Sequence, residues 1–456
     1  MNLQKSGLNK FDKPEVKTFK NLKTFIIGIA LLASHHTMLA QSKVKSTDED
    51  AQGEITTALI THSSDGIFSS TASFTFEVKN TYRKVETGKV SYLVTDQRNK
   101  KITSDSVMVK IGARGSDSYR FSVPKLATGF YKINFMINVN DYDDTTKRDF
   151  GIRPSEITSS YPRPTDFDSF WQTAKDELAK VKPEYKITEK PELEKLNRRV
   201  YQVEMKSLGN IIIRGWLTEP ATKSKNKKFP VLLGLPGYQV TIAPIMGEDD
   251  DLAIFTVDTR GQGLSKDVID TRRDDFIVYN LEDKNKYVMR GVIMDCIRSI
   301  DFIFSRPELR HDNILVSGGS MGGFLTIATA GLDKRVTICS AQNPIMSDIY
   351  NLEGEVEWPL NTIKKFVKVK PGLTYKKVLD NLQYYDCKNF ATTIKCSTLV
   401  GIGLLDPYVP PNNAFVVYNN IPAKKKIMVF KNLAHEVDVK YKQYEALWMN
   451  DTFALF

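Results

Sequence analysis

At 456 residues the chain has room for two or three domains, and its 41% hydrophobic and 26% charged residues exclude a disordered or low-complexity chain. The formal charge of +10 is partly local: residues 1–40 carry six Lys against two carboxylates, a surplus of four that leaves +6 elsewhere. Those remaining charges are mixed in sign, with only small clusters such as Lys424-Lys425-Lys426, which argues against a nucleic-acid-binding face.

Lys20 and Lys23 precede the apolar run TFIIGIALLA at 24–33, and Met38-Leu39-Ala40-Gln41 follows a short polar stretch. A basic flank, a short apolar core and a small residue at the cut read as a secretory signal over 1–40. The run is too short to span a bilayer. No Cys stands near the cut, so no lipid or other membrane anchor is expected.

Residues 41–55 are polar and read as a linker. From 56 to 155 the pattern has period two: Phe74, Phe76 and Val78, then Val90, Tyr92 and Val94 with Leu93 intervening, then Ile133, Phe135, Ile137 and Val139. Short alternating strands between turns such as Thr87-Gly88 predict a small all-β, immunoglobulin-like sandwich.

Residues 156–456 read as a different, α/β, domain. Phe167, Phe170, Trp171, Ala174, Leu178 and Val181 fall at helical spacing after Asp166. Strands follow at 201–205 and 211–217. Nearly continuous apolar runs then come at 230–235, 252–257, 314–316, 336–340, 397–402 and 426–430, separated by loops and by a helix over 287–304. Runs without alternation fit strands covered on both faces by helices, hence an α/β domain with a mainly parallel sheet. Residues 345–390 interrupt the repeat as an inserted segment expected near the active-site mouth.

Within this domain Gly318-Gly319-Ser320-Met321-Gly322-Gly323 is a G-x-S-x-G turn with a strand before it and the apolar helix Phe324 to Ala328 after it. That context makes Ser320 the candidate nucleophile, with Gly318 and Gly322 allowing close backbone passage. Of five His, His35 and His36 lie in the leader, His62 in the sandwich and His311 at the wrong end of the Ser320 strand. His435, after the last predicted strand, is left as the base. Asp406 ends the strand before it and completes the order Ser, Asp, His. Asp348, Glu353 and Asp258 are the rival carboxylates. The oxyanion donors are expected to be the backbone N–H groups of Met321 and of Tyr238 in Pro236-Gly237-Tyr238, Pro236 having none to give.

These residues resemble the acetyl xylan esterase and cephalosporin-C deacetylase family, carbohydrate esterase family seven. The likeness rests on Arg163-Pro164 with Asp166 to Trp171, on Gly237-Tyr238, on Arg260-Gly261-Gln262-Gly263, on the Ser320 elbow, on Leu404-Leu405-Asp406 with Pro410-Pro411, and on His435-Glu436. Met321 stands where the family commonly has Gln, and Pro236 where it has His. The resemblance implies hydrolysis of acetyl esters on carbohydrate, with an acetylated oligosaccharide as partner and no cofactor or metal. Arg260 and Gln262 are expected to organise the loops around His435-Glu436, Arg260 by pairing with Glu436. The family forms compact hexameric rings, so a homo-oligomer is implied unless the added sandwich blocks it.

Two other readings use the same residues. A prolyl-oligopeptidase-like peptidase also has a Ser elbow ending in Gly-Gly, but 56–155 is too short for a β-propeller. A glycan-binding protein with a vestigial hydrolase domain would not need the intact Ser, Asp and His. Of the four Cys, Cys296 and Cys339 read as core residues, and only Cys387 and Cys396 are near enough in sequence to suggest a bridge.

Overall fold

The computed structural model describes residues 53–221, 227–246, 251–271 and 275–454. The leader and most of the linker read from the sequence lie outside them.

The N-terminal part is two facing sheets. One pairs β1 (Ile55–Thr61), β3 (Ser73–Asn80) and β6 (Ser116–Ser122). The other runs β2 (Ile67–Phe68), β8 (Tyr142–Ile152), β7 (Gly129–Val139), β4 (Glu86–Asp96) and β5 (Lys101–Ile111). The alternating residues supply the core: Phe74, Phe76, Val90, Tyr92, Val94, Ile133 and Phe135 are all buried. Phe135 meets the rings of Phe74, Phe76, Tyr92 and Phe121. Leu93, which breaks the alternation, points away from that core, as period two requires.

The C-terminal part is a nine-stranded sheet. β9 (Lys186–Glu189), β10 (Arg198–Ser207) and β11 (Ile211–Pro220) form an antiparallel edge. β12 (Phe229–Leu235), β13 (Ala253–Asp258), β14 (Leu309–Gly319), β15 (Ile338–Gln342), β16 (Ser397–Gly403) and β17 (Lys425–Phe430) are mutually parallel. The order across the sheet is β17-β16-β15-β14-β12-β13-β11-β10-β9.

One face packs on α1 (Phe167–Ala179), α2 (Val288–Phe304) and α3 (Met321–Leu332) through Leu233, Phe255 and Val316. The other face, through Leu232, Ile254, Leu315 and Ile338, is covered by Met449 and Phe453 of a C-terminal helix, Val439–Phe453. Adjacent residues of one strand thus enter opposite cores, which is why these strands read as continuous apolar runs. Between β15 and β16 lie α4 (Leu360–Val369), α5 (Tyr375–Leu382) and α6 (Cys387–Ala391); α7 (Pro411–Asn420) and α8, the C-terminal helix, complete the fold.

The sandwich is fastened to the C-terminal part at separate points. Phe130 packs on Phe415 of α7 at 5.2 Å between ring centroids, and its N–H donates to Asn412 Oδ1 at 3.0 Å. Lys431, just after β17, donates to the Ser63 carbonyl at 2.7 Å. Arg98 lies 3.7 Å from Glu355 of the inserted segment.

Candidate active site

Ser320 stands between the last residue of β14 and the first of α3. Its φ of 60° and ψ of −120° are unusual for a residue with a side chain. Such a conformation costs on the order of 1–3 kcal/mol and persists only where the surroundings impose it. Here they do: Ser320 N–H donates to Gln342 O at 2.9 Å, and its carbonyl accepts from Phe324 at 3.1 Å and Ile345 at 3.3 Å. A Cβ on Gly318 would lie 2.6 Å from the Gly322 carbonyl carbon, and one on Gly322 2.4 Å from the Leu235 carbonyl oxygen. Only glycine lets strand, turn and neighbouring loop approach so closely.

That neighbouring loop follows β12 and carries Tyr238. The Gln239 N–H donates to Gln262 Oε1 at 2.5 Å, while Gln262 Nε2 donates to Thr259 Oγ1 at 3.0 Å. The Tyr238 hydroxyl donates to the Asp275 carboxylate. Burial, reinforced by that carboxylate, holds the phenol far above its usual pKa, so it stays a donor. Across the gap, Met321 opens α3, so its N–H is one of the unpaired donors at the positive end of the helix dipole.

Asp406 follows β16. Its Oδ2 lies 2.6 Å from His435 Nδ1, and its Oδ1 accepts the backbone N–H groups of Tyr408 at 2.8 Å and Val409 at 3.0 Å. The carboxylate side chain is 1% exposed and the imidazole 21%. One partner is sealed and the other keeps an open edge. Since β14, β16 and β17 are parallel, Ser320, Asp406 and His435 all leave the same edge of the sheet. The rival carboxylates are engaged elsewhere. Asp348 pairs with Lys388 at 2.8 Å, Glu353 with Lys364 at 2.6 Å, and Asp258 accepts from Ile242 and Leu264.

The expected Arg260–Glu436 pair is not formed. Arg260 makes a fork to Asp295 of α2, with Nη2 at 2.7 Å and Nε at 2.9 Å, and also reaches the Leu208 carbonyl. Glu436 is exposed. A buried carboxylate on an apolar helix outbids a solvated one for the guanidinium, because leaving Asp295 unpaired in the core would cost several kcal/mol, of order 3–5. Gln262 likewise acts on the Tyr238 loop, not on the loop of His435. Cys387 and Cys396 are free thiols. Cys387 is buried and donates to the Ile345 carbonyl, and burial pushes Cys396 up to about 11.

Two residues absent from the sequence-based site join it. Tyr408 packs edge-on to His435 at 4.9 Å, Trp358 of the inserted segment packs edge-on to Tyr408 at 5.9 Å, and Tyr238 meets Trp358 at 5.2 Å. An aromatic wall therefore runs from the Tyr238 loop to the imidazole. Tyr408 could have been suspected from its place two residues after Asp406, whereas nothing local marked Trp358.

A serine held in a strained turn between a parallel strand and a helix, with a His–Asp pair at the same sheet edge, is the framework of the α/β-hydrolase esterases. The acetyl xylan esterase (AXE1) family model matches residues 155–452. The chain belongs to that family, and so to the carboxylic ester hydrolases. It is 28% identical over 312 residues to acetyl esterase Axe7A of Xylanibacter ruminicola, covering 66% of this chain and 70% of that protein. Among solved structures it is similar to the acetyl xylan esterase from Paenibacillus sp. R4, at 26% identity and a TM-score of 0.60, covering 66% of this chain and 98% of that one. Acetyl xylan esterase 1 from Thermoanaerobacterium sp. JW/SL YS485 gives 26% identity and a TM-score of 0.57, covering 66% and 97%. The family match begins at residue 155, so the sandwich stands outside it.

Proposed function

We propose that the protein is a secreted serine esterase that removes acetyl groups from carbohydrate, with xylan-type oligosaccharides as substrates and an acetyl-enzyme on Ser320 as intermediate. The observation that carries this reading is the 2.6 Å contact of Asp406 with His435 at the sheet edge that also bears the Ser320 turn. Export is supported by the basic, apolar and small-residue pattern of residues 20–41.

In this mechanism His435 Nε2 takes the Ser320 proton as Oγ attacks the acetyl carbonyl carbon. Asp406 keeps the Nδ1 proton in place and stabilises the imidazolium. The Tyr238 and Met321 N–H groups hold the tetrahedral oxyanion. The carbon–oxygen bond to the sugar breaks, and His435 gives its proton to the departing alkoxide. Water then enters, yields a proton to His435 and attacks the acetyl-enzyme; acetate leaves and Ser320 Oγ recovers the proton.

The test is acetate release from acetylated xylan, acetylated mannan and cephalosporin C, run beside Ser320→Ala. The expected result is release from acetylated xylan that S320A abolishes. Unchanged release by S320A removes Ser320 from its role, and cleavage of prolyl peptide nitroanilides with inert acetyl esters overturns the esterase reading.

A further inference from the structure

Between the sandwich and the catalytic part lies a cavity of about 950 Å³. One wall is the outer face of the five-stranded sheet. Two cross-strand rows supply it: Leu93, Asn134 and Lys147, then Thr95, Lys132 and Asp149. Their neighbours on the same strands, Val94, Ile133, Phe135 and Phe150, face the sandwich core. The opposite wall contains Asp406, Tyr408 and Trp358. Tyr408 therefore meets His435 and also borders the cavity.

We propose that this cavity is a binding subsite for the sugar chain of the ester substrate, so that the sandwich holds units beyond the acetylated one. The inference rests on the carbohydrate esterase reading above and adds a location and a role for the N-terminal domain. Four observations carry it. The cavity has the size of a ligand site, since pockets that enclose a small molecule span about 300–1,000 Å³. Its chemistry suits a sugar chain: two aromatic rings can take the C–H faces, and amide, ammonium and hydroxyl groups can meet the hydroxyls. Some of these groups are already anchored: Lys132 donates to Gln97 O at 2.9 Å and to Asn99 Oδ1 at 3.1 Å, and Asp149 accepts from Gln97 Nε2 at 3.2 Å. Others are free, because among the described residues the Asn134 amide and the Lys147 ammonium make no hydrogen bond or ion pair.

The fourth observation is rigidity. Phe130 and Asn412 dock the sandwich on α7, and Lys431 ties it to the chain four residues before His435. A wall fastened in this way keeps its spacing from the base, which lowers the ordering cost of binding. A packed domain interface would have placed apolar side chains on this face, and a freely solvated one would not be pinned beside the acid loop.

The experiment uses the full chain with Asn134→Trp, which fills the cavity from an outward-facing position, and Lys147→Ala, which removes one exposed donor. kcat and KM are measured for p-nitrophenyl acetate and for acetylated xylose, xylotriose and xylohexaose. The expected result is a wild-type KM that falls with chain length. N134W should raise KM for the hexaose about tenfold and K147A about threefold, each the scale of one or two hydrogen bonds. Both should leave p-nitrophenyl acetate unchanged within about twofold. In Ser320→Ala, N134W should weaken binding of unacetylated xylohexaose by the same factor. Equal loss on all substrates, or no loss on the hexaose, overturns the subsite while leaving the esterase assignment standing. If wild type hydrolyses p-nitrophenyl acetate but no acetylated sugar, the substrate reading falls and the subsite with it.

Discussion

Gln262 holds the Tyr238 loop by accepting the Gln239 N–H through Oε1 at 2.5 Å, from a position only 2% exposed. The Arg-Gly-Gln element thus acts on the proposed oxyanion loop. Gln262→Ala would remove the partner of the part-buried Gln239 N–H, a hydrogen bond worth about 0.5–1.5 kcal/mol, and free the loop. We expect kcat on p-nitrophenyl acetate to fall roughly tenfold to a hundredfold with KM nearly unchanged, since the lost interaction serves the transition state. Gln262→Glu keeps an acceptor oxygen and should lose less. Steady-state kinetics of the two variants check this, and a pure KM effect would contradict it.

The two oxygens of Asp406 have separate work, one facing His435 and the other accepting two backbone N–H groups. In Asp406→Asn the carbonyl oxygen must stay with those N–H groups, which turns the NH₂ toward Nδ1. The ring is then driven to carry its proton on Nε2, where it cannot take one from Ser320. We expect kcat to fall by roughly a thousandfold to ten-thousandfold with the fold intact. Acetate release together with a thermal melt measures both.

Gly403 closes β16 directly beneath the loop of His435. A Cβ there would lie 1.9 Å from the Ala434 carbonyl oxygen and 2.5 Å from that of Leu433. Neither is a flexible side-chain end, so the loop itself must move. Gly403→Ala should cost about a hundredfold in kcat, the effect of a displacement near 1 Å at a catalytic group. Unaltered kinetics in a folded G403A protein would show that the loop can yield without moving His435.

The parts legible in the sequence were local. The Ser320 elbow needed only a strand, spaced glycines and a helix within a few residues, and Asp406 and His435 needed chain order and strand ends. The two sheets of the sandwich came from alternation alone, because Phe74, Ile133 and their neighbours pack inward at period two. What was not legible depended on distant partners. The sequence points Arg260 at Glu436, yet its partner Asp295 lies 35 residues on, on the buried face of α2. A carboxylate beside Cys296 on so apolar a helix was the available clue, since it needs a cation somewhere. Trp358 and Tyr408 lie 50 residues apart in the chain and meet only through the tertiary fold. Nothing in the alternation of β7 and β8 marks their outward face as lying across a cavity from the C-terminal part.

Glu355, in the wall between sandwich and inserted segment, offers a test of how the two parts are coupled. Burial raises its carboxyl from near 4.5 to about 7. Oε2 has no hydrogen-bond partner among the described residues. Below pH 4.5 the folded and unfolded chains both hold the proton, and nothing is lost. Between about 4.5 and 7 the unfolded chain releases it first, so stability falls as pH rises; above 7 the penalty is constant. A displacement of that size corresponds to roughly 3 kcal/mol. The opposing attraction of Arg98, 3.7 Å away with a side chain 57% exposed, is worth about 1 kcal/mol or less. Desolvation therefore wins, and Glu355→Gln should stabilise the protein at pH 8 and leave it unchanged at pH 4. Urea unfolding of parent and variant at both pH values measures the difference. A variant less stable at pH 8 would mean that the contact with Arg98, not burial, governs this carboxyl.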